Sequence, residues 1–153
     1  MHEHRYYMKS IRILYGIFSI LSLLTGILIY LLLRDMSNMI IFAWLPRPTF
    51  AGTVFVQLKP SPFSYVLMYN LPDMLWFLSG ILFFRFIWFD RKKTQKAYIF
   101  CFYGIGAVIE ISQLSERVYG TFDLLDLFFM GLGAFIEALV HNFLTRGDKG
   151  RKR

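Results

Sequence analysis

The sequence predicts an all-α fold: a polytopic membrane bundle of four transmembrane helices with both termini in the cytoplasm. Three observations carry that reading. Of the 153 residues, 56% are hydrophobic and only 18% charged, which is more apolar and less charged than an average soluble domain. The apolar residues gather in four segments, at about 11–33, 71–89, 97–114 and 124–144, each near the ~17–25 residues that cross a bilayer. The basic residues cluster on alternate connections between those segments.

The first segment has no charge across residues 13–33. At a rise of about 1.5 Å per residue it is roughly 30 Å long, the thickness of a hydrocarbon core. Arg5, Lys9 and Arg12 precede it, as they would precede a signal peptide. Its apolar stretch exceeds the ~7–15 residues of a signal core, and no small-x-small cleavage site follows, so it reads as an uncleaved anchor. Residues 34–70 form an external segment. Within it, 36–45 is apolar but too short to span, and is expected to lie in the interface with Trp44 at head-group depth. Pro46, Pro48, Pro60 and Pro62 are expected to exclude a continuous helix there, and 53–58 is a short β-prone run. The second and third spans are joined by the short connection 90–96, so they are adjacent and antiparallel. The third and fourth are joined by 115–123 and are expected to be neighbours as well. Gly104, Gly106, Gly131 and Gly133 are expected to permit close helix packing.

Net charge is +7, and its distribution is topological. Arg5, Lys9 and Arg12 precede the first span; Arg91, Lys92, Lys93 and Lys96 separate the second from the third; Arg146, Lys149, Arg151, Lys152 and Arg153 follow the fourth. These are 12 of the 17 Lys and Arg residues, and four spans put them all on one side. The positive-inside rule makes that side cytoplasmic. Basic clusters beside membrane helices face lipid head groups, which argues against nucleic acid as a partner. The single cysteine, Cys101, lies in the third span and reads as a small apolar side chain.

Ionisable residues at membrane depth are costly and so carry information. They fall into two levels. At the outer level, Asn70, Asp73 and Trp76 open the second span. Glu110, Gln113 and Arg117 form one stripe near the end of the third, and Asp123 and Asp126 open the fourth. Asp123 and Asp73 have a structural reading, as a helix cap and as charge at a positive helix N-terminus. Glu110 lies about 10 Å below Arg117 along the helix and needs a partner at that depth. The expectation is one outward-opening cavity bordered by Glu110, Gln113 and Asp126, with Asp73 and Trp76 on its rim. At the inner level, Glu137 and His141 share a helix face, and Arg85 is expected to pair with Glu137 structurally. His2, His4 and His141 make no recognisable metal spacing. No phosphate loop, zinc motif or nucleophile elbow is present, and Ser79 and Ser112 are weak nucleophile candidates.

Glu110-Ile111-Ser112-Gln113, followed by Gly120-Thr121-Phe122-Asp123-Leu124-Leu125-Asp126 and Gly133, resembles the signature of the VanZ-like membrane protein family. Asn70-Leu71-Pro72-Asp73-Met74-Leu75-Trp76 resembles the start of an earlier helix in some members. The resemblance covers about 69–140 and is that of a distant member. Gly120 stands where many members carry Arg, Met130 where many carry Asn, and Glu137 where Gly is usual. It implies a multi-pass protein of the bacterial inner membrane and cell envelope.

Three functions are open on this reading. The first is non-enzymatic: the outer cluster binds the head group of an envelope lipid or a lipid-linked cell-wall precursor. Asp73, Trp76, Glu110, Gln113, Arg117, Asp123 and Asp126 are its ligand-binding candidates, with no cofactor. The second is a metal-dependent enzyme on a lipid-linked substrate. Glu110 would then be the general base, and Asp123 and Asp126 would hold Mg²⁺ or Ca²⁺, the cations that suit hard oxygen ligands. The third is a small structural subunit whose polar residues only fix helix register.

Overall fold

The computed structural model describes residues 2–33, 61–115 and 122–150. All regular structure among them is helical. We number four helices: α1 (His2–Leu33), α2 (Pro62–Ile87), α3 (Lys92–Ser112) and α4 (Leu124–Gly150). The expected interfacial stretch 36–45, the run 53–58 and Arg117 lie outside the described residues.

Three of these helices are long and apolar enough to cross a membrane: Tyr6–Leu33, Pro62–Ile87 and Leu124–Thr145. The third expected span, 97–114, lies in α3, which is not among them. That helix opens with Lys92, Lys93, Thr94, Gln95 and Lys96, and it carries Glu110 near its end. Its uninterrupted apolar part, 97–109, is only roughly 20 Å long.

The second helix begins at Pro62, well before the expected residue 71. Proline excludes helix only from positions where its nitrogen must donate or its ring would clash with an earlier carbonyl, and the first helical position has neither constraint. Ser61 caps this start reciprocally. Its hydroxyl accepts from the Ser64 backbone N–H at 3.0 Å, while the Ser64 hydroxyl accepts from the Ser61 N–H at 2.9 Å. Pro72 is the harder problem, since it falls inside the same helix. A π-helical turn, Val66–Asn70, precedes it and closes with the Leu71 N–H donating to the Val66 carbonyl. The wide turn lengthens the hydrogen-bond step just where Pro72 has no N–H to offer.

Helix α2 is the centre of the bundle, and α1, α3 and α4 all pack on it. Within the apolar windows, 44% of α2 is buried against 11% of α1 and 11% of α4, so the outer helices turn most of their surface outward. Those outward faces carry Ile13, Ile20, Leu24 and Leu28 on α1 and Phe135 and Phe143 on α4, all exposed. Apolar surface of that extent suits lipid better than water. Close approach is set by a few glycines. A Cβ at Gly133 would come within 3.1 Å of the Met74 carbonyl oxygen, so this glycine lets α4 meet the α2 backbone. Gly106 admits the Met130 and Phe77 side chains, whereas Gly104 and Gly131 face open space. The contact expected between the third and fourth spans therefore exists at Gly106 but is slight, because α2 supplies most of what each of them packs on. Ile11, Tyr15, Leu78, Leu82 and Phe89 form the buried core, toward the end of the bundle where α1 begins and α2 ends.

Candidate functional site

Two polar levels lie at opposite ends of α2. At the first, the start of α2, the end of α3 and the start of α4 come together. Asp73, Trp76, Glu110, Gln113 and Asp126 border one cavity of about 630 Å³, with Leu23 of α1 completing its wall. The volume is in the range of small-molecule sites.

Glu110 is 7% exposed. Its Oε1 accepts the backbone N–H of Asp123 at 3.1 Å, so it satisfies a donor at the very start of α4. Asp123 caps the same helix: its Oδ1 accepts the Leu125 N–H at 2.9 Å. The other oxygen, Oδ2, accepts the Tyr65 hydroxyl at 3.0 Å, tying the first turn of α2 to α4. One turn deeper, Asn70 Nδ2 donates to Asp126 Oδ1 at 2.7 Å. Asn70 ends the π turn and is fully buried, and its Oδ1 has no hydrogen-bond partner among the described residues. A buried amide oxygen without a donor is uncommon and calls for explanation. Trp76 is held from the α1 side: Gly26 leaves room for its indole, and Tyr30 lies 5.7 Å away between ring centroids.

The second level is closed. Arg85 Nε donates to Glu137 Oε1 at 2.7 Å and Nη2 donates to Oε2 at 3.2 Å. The arrangement is bidentate, with side-chain exposures of only 14% and 5%. Arg85 Nη1 donates to Gln95 Oε1 at 2.8 Å, and Gln95 Nε2 returns to the Arg85 carbonyl at 3.3 Å. His141 joins neither charged group directly: its Nδ1 is 2.6 Å from the Tyr15 hydroxyl of α1. Among the described residues, no three His, Cys, Asp or Glu side chains converge on a common metal position. Ser79 and Ser112 are bound elsewhere, to Ser19 and to the Ile109 carbonyl.

Four residues of these networks were not candidates from sequence. Tyr65 lies in the expected external segment 34–70 and Gln95 in the expected short connection 90–96. Tyr15 was one of many residues in an apolar run. Asn70 opens the expected second span at the outer level but is not among the ligand-binding candidates. A capping pattern at Ser61–Ser64 was the available signal for the first of them. No family model, no functionally described protein and no solved structure matches this chain.

Proposed function

We propose that the chain is a four-span membrane protein with cytoplasmic termini, and that its outer cavity binds the polar head group of an envelope lipid or lipid-linked cell-wall precursor. The observation that carries the reading is the cavity: carboxylate and amide side chains from three helices border one space between apolar helices. Polar groups at such depth are retained where they serve a ligand or one another. The resemblance to the VanZ-like family, with its bacterial inner-membrane setting, agrees with this.

Chain direction supports the four spans. Asn70 meets Asp126 near the starts of α2 and α4, and Arg85 meets Glu137 further along both, so the two helices run parallel. If both cross the membrane, α3 has to return the chain between them despite its polar start. Reporter fusions after Lys96 and Arg153 should then read cytoplasmic, and one at Thr53 external. A cytoplasmic Thr53 would reverse the topology.

The structural reading has specific observations in its favour, because Glu110, Asp123 and Asp126 each accept an intramolecular hydrogen bond. The enzymatic reading would need Asp123 to bind a cation while already accepting from Leu125 and Tyr65. Lipid analysis of the purified chain decides among them. Glu110→Gln and Asp126→Asn should fold normally and lose a co-purifying lipid that wild type retains. Unchanged lipid content in both variants would leave only the structural role.

A further inference from the structure

We infer that the cavity recognises a chain-bearing amphiphile as a unit, holding the first part of its hydrocarbon chain beside its polar head group. The inference rests on the head-group reading above and extends it to the chain. It comes from the order of the lining residues along the three helices that meet there. On α2, Asp73 is followed one turn further by Phe77. On α4, Asp126 is followed one turn further by Met130. On α3, which runs the other way, Gln113 and Glu110 are preceded by Ile105 and Phe102. Phe102 lies about 12 Å from Glu110 along that helix. Each helix thus gives the cavity polar side chains toward one end and apolar ones toward the other. In the four-span reading the polar end is the outer one, so the order matches head group and chain of a lipid in that leaflet.

The apolar end is a built surface. Phe102 is seated against Gly80, where any Cβ would collide with its ring. The same ring stacks on Phe77 with centroids 4.8 Å apart, and Phe77 is buried. From the α4 side, the Met130 side chain reaches Gly106. Apolar space of this kind stays dry. A head group alone would leave it unfilled and its side chains without partners for dispersion, and a hydrocarbon chain supplies those partners. A lipid chain moving there leaves one hydrocarbon medium for another, so the gain comes from packing and not from escape from water. Chain recognition is then a matter of fit, and added bulk in the apolar wall is what disturbs it.

The test uses the full chain in detergent, with native mass spectrometry of lipid adducts. The probes are dimyristoyl phosphatidylethanolamine and dimyristoyl phosphatidylglycerol, each set against its own deacylated head group, glycerophosphoethanolamine or glycerophosphoglycerol, in excess. Wild type should retain at least one of the lipids, and the matching deacylated head group should fail to displace it. Ile105→Trp and Met130→Phe narrow the apolar end from α3 and from α4 and leave every polar side chain of the cavity in place. Each should lower retention roughly tenfold, the lower range of what overpacking a filled space costs. Ile105 is 59% exposed, so the larger ring has room in the fold. Helicity and melting are measured for every variant. Ile111→Trp is the control: Ile111 is 52% exposed on the same helix but does not border the cavity, and retention should not change. Displacement by the deacylated head group, with retention lowered by Glu110→Gln and unaffected by the two filling variants, would overturn chain recognition and leave head-group binding intact. An equal loss in Ile105→Trp and Ile111→Trp would overturn it by placing the lipid on the outer surface of α3. Retention of neither lipid by wild type would remove both readings.

Discussion

At one end of α2, Arg85 meets Glu137 through two hydrogen bonds and gives a third to Gln95. At the other end, Asp73, Glu110 and Asp126 border a cavity of about 630 Å³. Both levels place ionisable side chains between the same helices. The first contains a cation and an anion in matched geometry, and its amide partner is Gln95. The second gathers three carboxyl side chains and the Gln113 amide around an open space. A matched pair needs nothing from outside, and it can lock two helices together. The second level leaves an open volume beside its polar side chains, and that volume makes it the candidate binding region. Burial and hydrogen bonding are common to both levels and do not separate them. The open space between the helices separates them better.

The largest expected effect is at the closed level. Arg85→Met or Glu137→Leu alone should cost about 3–5 kcal/mol, since each leaves an unpaired buried charge. Reversible unfolding in mixed micelles would measure it. The double variant should recover most of the loss. Single variants within about 1 kcal/mol of wild type would break the comparison at its stronger end, because a pair of so little consequence locks nothing.

Helix spacing comes next. Gly133→Val should cost about 1–3 kcal/mol by forcing α4 away from the Met74 carbonyl. Gly131→Ala faces open space and should be neutral or stabilising, because alanine is the better helix former by up to ~1 kcal/mol. Equal responses at the two positions would mean that α2 and α4 are not packed as described.

Smaller still are the cap and its tether. Asp123→Ala should cost about 1 kcal/mol through the lost N-cap of α4. Tyr65→Phe should cost less, since its hydrogen bond to Asp123 is exposed. The smallest stability effect belongs to Glu110→Gln, which keeps an acceptor for the Asp123 N–H. Its unfolding free energy should stay within about 1 kcal/mol of wild type while head-group retention falls. A loss as large as that of Glu137→Leu would sharpen the comparison against us, making Glu110 structural.

Sequence alone located the apolar segments and their helical character, though not the start of α2 at Pro62 or the short apolar reach of α3. Long apolar runs must be helical in a bilayer, because each backbone N–H and C=O has to be satisfied within its own segment, and that rule needs no tertiary information. Helical periodicity also put Glu110 and Gln113 on one stripe and Asp123 and Asp126 at one helix start. The placement of side chains around neighbouring helices was decided only in the folded bundle. Rotation of each helix is fixed by packing, here by Gly133 against Met74 and Gly26 against Trp76. That rotation made Asn70 fully buried and put Tyr15 beside His141. A lone polar residue in an apolar run has no periodic mark to say which neighbour it will meet. Pro62 reads as a break because sequence shows a missing donor but not whether one was required, and Pro72, inside the expected span 71–89, raises the same question. A first helical position and a preceding π turn removed that requirement, and both are properties of the folded backbone.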